Sequence, residues 1–336
     1  MKLCIKILMI IAYGFLLVSC SSASKEANIT KIGIIVGKFD DAWRTKVRNE
    51  LYKLSENKSN KPELEIWNAD NSQKTENEKV DALIKDKVKV LVVNLVETKS
   101  AGEIIEKAKK ADIPVVFFNV EPSEEDMNKW DKVYYIGARG QQSGTMQGQI
   151  LADYFKRNPT KDGIIRYVMI KGPAGNLDSV ERTKYSVDTL KKNGFKVQQV
   201  GEYYADWERD KSQKQMEKLL GSRGISTDCV ISNNDDMALG AIDALKNEGY
   251  FNNGKYMPVV GVDANSSAVS LEKDGYLLGT VLNDAEGQGK AIFDLAGILA
   301  NGQNPDKSSF NNKLTDGKYI WVDYKIITAR NLIDAK

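Results

Sequence analysis

Short runs of consecutive apolar, mostly β-branched residues recur along the chain and alternate with segments of helical periodicity. Runs of this kind are typical of buried strands in parallel sheets. In the first half of the chain they predict strands at Ile32–Val36, Leu64–Trp67, Val88–Val93, Val115–Phe118 and Val133–Ile136. In the second half they predict strands at Arg166–Ile170, Val197–Val200, Cys229–Ser232, Val259–Val262 and Gly279–Leu282.

The segments between these runs carry apolar residues at helical spacing. One face of a helix is predicted by Trp43, Val47, Leu51 and Leu54, and another by Ile104, Ile105, Ala108 and Ala111. Two successive series of β-α units predict an α/β protein with two Rossmann-like, doubly wound parallel sheets, one in each of two lobes. Ligands of such sheets bind beyond the carboxyl ends of the strands, so two facing sheets are expected to line one shared cleft.

The first residues have the pattern of an export signal. Lys2 and Lys6 precede an apolar run from Ile7 to Val18, and about twelve residues are too few to cross a hydrocarbon core of about 30 Å. The run ends in Leu17-Val18-Ser19-Cys20, which resembles a bacterial lipobox. We therefore predict a signal peptide at 1–19, lipidation of Cys20 and a tether at 20–28. The protein is expected to face the periplasm or cell exterior and to touch the membrane only through its anchor.

Composition excludes several classes of function. The chain has 336 residues and no histidine, so a Ser-His-Asp triad and histidine-ligated metal sites are absent. A formal charge of +2 falls to about zero when Lys2 and Lys6 leave with the signal, which argues against a nucleic-acid partner. Cys229 is the only thiol left in the mature body, and we interpret it as a small buried hydrophobe. No cofactor is expected.

Polar and aromatic side chains follow the ends of seven predicted strands. Any single Asn or Asp of this kind is as well explained as a helix N-cap, but their recurrence at one end of so many strands favours a shared site. The residues predicted to bind a ligand are Asp41, Trp43, Asn119, Asn176, Asp178, Arg182, Trp207, Asn234, Asp263 and Asn283.

These residue types suit a monosaccharide. Carboxylates and amides accept from and donate to the hydroxyls of a pyranose, and charged partners make the stronger hydrogen bonds. The two tryptophans can cover its apolar faces. A phosphorylated ligand would call for more cationic groups than one arginine among several acids.

At these residues the chain resembles the periplasmic galactose/glucose-binding proteins, a family of type I periplasmic sugar-binding proteins. The resemblance rests on Phe39–Trp43, Val115–Asn119 with Glu121–Ser123, Ser232–Met237, Gly261–Ala264 and Gly279–Ala285, and it covers essentially the whole mature chain. It implies two lobes joined by a three-strand hinge near Gly137–Arg139, Val281–Ala285 and Trp321–Tyr324. The lobes implied are 29–138 plus 284–322 and 139–283 plus 323–336.

The resemblance also implies what the protein does. It implies a monomer that binds D-galactose or D-glucose in the cleft, delivers the sugar to the permease of an ABC importer and, in part of the family, serves a chemoreceptor. Asp41 matches the carboxylate that receives the 4-hydroxyl, and Trp43 and Trp207 match the stacking aromatics. Asn176 departs from the family, which has histidine at that position.

The family's calcium loop has a counterpart at residues 158–166, with a distant carboxylate at Asp228. Calcium requires six to eight oxygen ligands. The counterpart keeps Asn158, but only Asp162 and Asp228 are anionic, and Arg166 replaces an oxygen donor. We predict a degenerate loop that binds no metal, in which Arg166 pairs with the two carboxylates.

Three other functions share the fold or the residue types of this chain. A LacI-type repressor shares the two lobes, but the export signal occupies the place of its DNA-binding helices. A glycosidase could use Asp178 and Asp263 as its two carboxylates, but a clamp around one monosaccharide leaves no space for a leaving group. A binder of a pentose or another small sugar, such as ribose or xylose, uses the same fold and remains the open alternative.

Overall fold

The apolar runs form buried strands in a computed structural model of the protein, which describes residues 30–56, 62–222, 226–305 and 314–335. The strands are β1 (Lys31–Val36), β2 (Glu63–Asn68), β3 (Val90–Val93), β4 (Val115–Phe118), β5 (Val133–Gly137), β6 (Ile164–Lys171), β7 (Lys196–Tyr204), β8 (Cys229–Ser232), β9 (Val259–Val260), β10 (Thr280–Leu282), β11 (Leu314–Thr315), β12 (Tyr319–Trp321) and β13 (Lys325–Ile327). The helices are α1 (Ala42–Glu56), α2 (Gln73–Lys85), α3 (Ala101–Ala111), α4 (Glu124–Met127), α5 (Gly140–Arg157), α6 (Leu177–Lys192), α7 (Arg209–Leu220), α8 (Asp235–Asn247), α9 (Ser266–Lys273) and α10 (Ala285–Ala300).

The first sheet has the order β2-β1-β3-β4-β5, continued by β12 and β11. Strands β1 to β5 are parallel, β12 is parallel to β5, and β11 pairs antiparallel with β12 at the edge. Helices α1 and α10 cover one face of this sheet, and α2 and α3 cover the other. This three-layer sandwich is the N-terminal lobe.

The second sheet repeats the same winding. Its order is β7-β6-β8-β9, all parallel, and β10 joins β9 through a bridge between Val260 and Gly279. Strand β13 pairs antiparallel with β10. Helices α7 and α8 pack on one face, and α5 and α6 pack on the other. The predicted fold class, two doubly wound α/β lobes, is confirmed.

Several details of the prediction were wrong. The sheets are not wholly parallel, because the unpredicted strands β11 and β13 pair antiparallel with their neighbours. Strand β9 ends at Val260, short of the predicted Val262, although the backbone amides of Gly261 and Asp263 still donate to the carbonyls of Gly279 and Val281. Strands β6 and β7 are longer than predicted. Ala111 is exposed at the end of α3, so it does not belong to the buried face of that helix.

The chain passes between the sheets three times: from β5 to α5, from β10 to α10 and from β12 to β13. These passages lie where the resemblance implied crossings. We propose lobe boundaries at 29–138 plus 284–322 and 139–283 plus 323–336, a division supported by the position of α10 against α1. The predicted signal peptide, tether and lipidated Cys20 lie outside the described residues.

The single thiol of the described residues and the length of the helices complete the description of the fold. Cys229 is fully buried in β8, and burial raises the pKa of its thiol. Within the described ranges, every helix is too short or too polar to span a membrane.

Candidate functional site

A cavity of about 350 Å³ lies between the lobes, at the carboxyl ends of the strands of both sheets. Its volume is at the lower end of the range for small-molecule sites. All ten residues predicted to bind a ligand line it: Asp41, Trp43, Asn119, Asn176, Asp178, Arg182, Trp207, Asn234, Asp263 and Asn283. The structure therefore brings the whole predicted set together, although their contact with a ligand stays a prediction.

Asp41 is fixed at the start of α1 in the N-terminal lobe. Its Oδ1 accepts from the backbone N–H of Arg44 at 2.7 Å, and its Oδ2 pairs with Arg44 Nη1 at 2.9 Å. Arg44 Nε in turn donates to the buried side chain of Asn94 at 2.6 Å, and Asn94 donates to Asn119 Oδ1 at 3.3 Å. One hydrogen-bonded chain thus orients Asp41, Arg44 and Asn119.

Asn119 follows β4 with a φ of +61°, a conformation that asparagine tolerates better than most residues. The Tyr135 hydroxyl donates to its carbonyl at 2.9 Å. Trp43 is almost fully buried, and its Nε1 donates to the carbonyl of Asn283 at 3.0 Å. This bond ties α1 to the passage between β10 and α10.

Helix α6 supplies three of the residues on the opposite wall. Asn176 is its N-cap, and its Oδ1 accepts from Ser179 N–H at 3.1 Å. Asp178 lies in the first turn, and Arg182 one turn later donates from Nη2 to Asp178 Oδ2 at 3.0 Å. The N-cap explanation is therefore correct for Asn176, and lining the cleft is compatible with it.

Arg182 is the most constrained cation of the site. It is 3 % exposed, Nη1 donates to the carbonyl of Asn233 at 2.8 Å, and Nη2 donates to the Tyr324 hydroxyl at 3.0 Å. Burial lowers the pKa of Arg182, but Asp178, Tyr324 and Asp263 raise it by more, so the guanidinium stays charged. Its Nε–H is buried and has no hydrogen-bond partner in the part of the chain that the structure describes.

Trp207 lies after β7 with a φ of +68°, and the guanidinium of Arg182 is 5.7 Å from its ring centre. Gly172 lets the ring approach the backbone, because a Cβ at that position would come within 2.3 Å of the indole. The turn after β6 thus needs a glycine to place Trp207 against the cleft.

Asp263 and Asn283 come from neighbouring loops of the C-terminal lobe. Asn283 Nδ2 donates to Asp263 Oδ1 at 3.4 Å, and Gln288 donates to Asn283 Oδ1 at 2.8 Å. Burial raises the pKa of Asp263 to about 7, with Asp41 and Asp236 adding to the shift and Arg182 opposing it.

The fully buried Asp235 supports this loop from behind. Its oxygens accept from the Thr280 hydroxyl at 2.7 Å and from Asn265 N–H at 2.9 Å. Burial raises its pKa well above the usual range. Asn234, the residue before it, caps α8 by accepting from Met237 N–H at 3.0 Å.

Another part of the cavity is lined by residues that the sequence did not reveal. Glu121, Glu181, Arg139 and Trp321 lie there, and the Arg139 guanidinium is 4.5 Å from the centre of the Trp321 ring. Burial raises the pKa of Glu121 to about 7, with Glu181 and Asp178 adding to the shift. This part of the cavity is acidic and aromatic.

Of the residues that were missed, Arg44 carried a local signal, since it stands three residues after Asp41 on a predicted helix. Asn94 also had a signal, because it directly follows the run ending at Val93. For Trp321 and Tyr324 the signal was the crossing that the resemblance implied at Trp321–Tyr324, but their contacts within the site depend on how that segment packs.

The calcium-loop counterpart forms an ion pair. Arg166 Nη1 lies 3.2 Å from Asp162 Oδ1 and 3.9 Å from Asp228 Oδ2, and Arg166 N–H donates to Asp228 Oδ2 at 2.7 Å. Arg166 lowers the pKa of Asp162 to about 2. Asn158 instead caps α5 by donating to the carbonyl of Tyr154. In the described part of the chain, no three acidic or cysteine side chains are grouped to hold a metal ion.

The arrangement has the chemistry to hold a small polyhydroxylated molecule. Carboxylates and amide groups from both lobes face one cavity, together with the indole rings of Trp43 and Trp207. The carboxylates and amides can exchange hydrogen bonds with hydroxyls, and the indole rings can contact the apolar C–H faces of such a molecule.

Comparison with known proteins gives a consistent picture. Residues 32–304 match the family described as periplasmic binding protein domain. The chain is 34% identical to the D-galactose/methyl-galactoside binding periplasmic protein MglB of Haemophilus influenzae, over 94% of this chain and 96% of that protein. It is 28% identical to a xylitol-binding protein of Mycolicibacterium smegmatis, over 87% and 79% of the two chains.

Solved structures also resemble this chain. An ABC transporter solute-binding protein from Bacillus halodurans C-125 with bound myo-inositol has a TM-score of 0.78 and 25% identity, covering 92% of this chain and 98% of its own. A structure from Mycobacterium smegmatis in complex with β-D-fucofuranose has a TM-score of 0.77 at 21% identity, covering 91% and 93%, and shows a shared fold.

Proposed function

The chain belongs to the periplasmic binding protein domain family, and on that premise we propose that it binds D-galactose and D-glucose in the cleft and delivers them to an ABC importer. It is a periplasmic sugar-binding protein of the ABC importer type, exported to the periplasm, and it is not an enzyme.

One observation carries the proposal: ten side chains selected for hexose chemistry converge from both lobes on a single cavity. They belong to segments up to about 240 residues apart in the chain, so their convergence depends on the folding of both lobes. The relative at 34% identity, named for galactose and methyl-galactoside, supports the same ligand class.

In the proposed complex, Asp41 receives the 4-hydroxyl, whose two orientations distinguish galactose from glucose. Asp178, Arg182 and Asp263 hydrogen-bond to other hydroxyls, and the unpartnered Nε–H of Arg182 supplies a donor. Trp43 and Trp207 pack on the ring faces. Because Asp41 and Asp178 are held by arginines before the sugar binds, little side-chain entropy is lost on binding.

A smaller sugar or polyol is the second candidate. Asn176 Oδ1 already accepts from Ser179 N–H in the α6 cap, so its amide nitrogen is the group best placed to donate to a ligand. A ribose import binding protein of Bacillus subtilis is 25% identical to this chain, and the xylitol-binding relative is 28% identical. These relatives favour testing pentoses and polyols beside the hexoses.

The decisive experiment is a thermal-shift and calorimetric screen of D-galactose, D-glucose, D-ribose, D-xylose, xylitol and myo-inositol. A ligand that binds only the folded state stabilises it by RT ln(1 + [L]/Kd), so galactose and glucose are expected to raise the melting temperature. A shift with ribose, xylose or a polyol but with neither hexose would replace the proposed ligand.

A matched pair of variants on α6 tests the site itself. Asp178→Asn removes a charge-assisted bond in the cleft and is expected to weaken binding by about 2–3 kcal/mol, or thirty- to hundredfold. Asp188→Asn is the control and should bind as the wild type does, because Asp188 is a partly exposed residue of the same helix that pairs with Lys184. Equal affinity in both variants would place the binding site elsewhere.

The anchor and partners are part of the proposal. Cys20 is proposed to carry the lipid. The protein is proposed to act as a monomer that passes the sugar to the permease of the importer, with a chemoreceptor as a further partner. Cys20→Ser should move the protein from the membrane fraction to the soluble fraction. Membrane retention of that variant would contradict the lipid anchor.

A further inference from the structure

A lysine on α1 reaches across the cleft to the other lobe. Lys46 Nζ donates to the carbonyl oxygen of Ala264 at 3.1 Å, in the loop that follows β9. Lys46 is half-buried, and its stem lies one turn after Trp43 on the face of α1 nearest the cleft. Among the described residues, this is the side-chain hydrogen bond that joins the lobes away from the three crossings.

The acceptor belongs to an unusual loop. Asp263 and Ala264 have φ angles of +115° and +49°, and such conformations are strained for residues other than glycine. Bonds within the C-terminal lobe hold the loop in place: Asp263 N–H donates to Val281, and Ala264 N–H donates to the Thr280 hydroxyl at 3.3 Å. These bonds use the amide hydrogens, so the Ala264 carbonyl is available to the opposite lobe.

We propose that Lys46 is a positioning residue for ligand binding, which ties closure of the cleft to the orientation of the Asp263 carboxylate. This inference rests on the proposed function, in which Asp263 contacts the sugar. Lys46 itself does not line the cavity and is not a ligand contact. It acts through Ala264, the residue next to Asp263.

Acidic residues on both walls of the cleft surround the bond between Lys46 and Ala264. Asp41 of the N-terminal lobe faces Asp236 and Asp263 of the other lobe. Burial first, and then Asp41, raises the pKa of Asp236, and Asp41 also adds to the raised pKa of Asp263. Like charges on opposite walls oppose closure.

Arginines compensate part of this negative charge. Arg209 lowers the pKa of Asp236, Arg182 lowers that of Asp263, and Arg44 pairs with Asp41 on its own wall. Lys46 is the cation that bonds directly between the walls.

The experiment compares Lys46→Met, Lys46→Arg and the control Lys53→Met. Methionine keeps the apolar stem without the donor, arginine keeps the donor, and Lys53 is an exposed residue of the same helix that pairs with Glu50 in its own lobe. Lys46→Met is expected to raise the Kd for galactose about five- to tenfold, mainly through faster dissociation. Arginine should restore most of the affinity, and Lys53→Met should match the wild type.

Small-angle scattering without sugar gives a second measurement that does not depend on the identity of the ligand. Lys46→Met should have a larger radius of gyration than the wild type and Lys53→Met. If the wild type binds sugar but Lys46→Met matches it in Kd and in radius, the role of Lys46 is refuted and the proposed function stands. If the wild type binds none of the sugars, the proposed function fails, and the radius without ligand still decides whether Lys46 holds the lobes together.

Discussion

The carboxylates of the cleft differ in how their charges are compensated. Asp41 and Asp178 each have an arginine within 3.0 Å, whereas among the described residues Asp263 accepts only from the amide of Asn283, at 3.4 Å. Burial can therefore raise the pKa of Asp263 to about 7, against an ordinary value near 4. In the proposed complex, the sugar hydroxyls supply further hydrogen bonds to this carboxylate.

Binding of galactose is expected to depend on pH through Asp263. The sugar hydroxyls favour the carboxylate, so the free protein must lose a proton from Asp263 below pH 7. The affinity should fall by up to about tenfold per pH unit from pH 7 towards pH 5. Calorimetry between pH 5 and pH 7 measures this change in affinity. At pH 6 it should also detect the proton that Asp263 releases when the sugar binds.

Asp263→Asn is the control for this dependence. The variant should bind weakly at every pH and release no proton on binding. A wild-type affinity that stays flat between pH 5 and pH 8 would contradict a titrating Asp263.

Glu272 on α9 is a buried carboxyl group outside the cleft. It is 3 % exposed, and neither of its oxygens has a hydrogen-bond partner among the described residues. Burial raises its pKa to about 7. The group is an acid whose folded-state pKa lies above its unfolded value, so it favours the folded state at low pH and loses that contribution as the pH rises.

Stability should accordingly decrease between about pH 4.5 and pH 7, by at most about 1.4 kcal/mol per pH unit from this residue. Glu272→Gln cannot ionise, and it should flatten this part of the melting-temperature profile. Glu106→Gln, an exposed residue on α3, should leave the profile unchanged. Parallel profiles for the wild type and Glu272→Gln would show that Glu272 does not titrate in this range.

At the scale of elements, helix starts build much of the site. Asp41, Asn176 and Asn234 accept from backbone amides in the first turns of α1, α6 and α8. Each is thereby fixed at the carboxyl end of a preceding strand, where doubly wound sheets bind ligands. Capping and ligand binding use the same position because both need a polar side chain at the strand-to-helix turn.

The segment between α5 and β6 is expected to be independent of calcium. Arg166 beside Asp162 and Asp228 supplies the positive charge that a cation would otherwise bring. A chelator should leave the melting temperature and the sugar affinity unchanged. Because the Asp162–Arg166 pair is partly exposed and screened by solvent, Arg166→Gln should lower the melting temperature only slightly.

The same Arg166→Gln protein should show a weak response to added calcium, since two carboxylates then lack a cation. A wild-type melting temperature that falls by several degrees with chelator, and recovers with calcium, would mean that an intact metal site is present.

At the scale of the whole molecule, three short crossings and a cleft between lobes suggest a clamp. Asp41, Trp43 and Asn119 lie on one lobe, and Asp178, Arg182, Trp207, Asn234 and Asp263 lie on the other. A ligand that contacts both walls has more contacts in the closed form, so it shifts the population towards closure.

The radius of gyration of the wild type should therefore decrease when galactose is added to saturation. Asp178→Asn at the same sugar concentration should show a smaller change, because less of it is bound. An unchanged radius in a wild-type sample that calorimetry shows to be saturated would argue against closure.

The sequence by itself determined the α/β class, the two lobes and the residues that meet in the cleft. It could do so because buried parallel strands are continuous apolar runs, and because polar residues at strand ends meet at one edge of each sheet. The sequence around Asn176 was also enough to predict a helix N-cap as one explanation of that residue. Residues 1–28, with Cys20, were interpreted from sequence alone.

Only the tertiary structure decided which groups support the site. Asn94 links Arg44 to Asn119, Tyr324 reaches Arg182 from 142 residues away, and Lys46 crosses to Ala264. The antiparallel strands β11 and β13 also appear only there, since two or three residues carry too little periodicity to predict a strand. Long-range contacts of this kind depend on how two lobes pack, and nothing in the local order of residues specifies that packing.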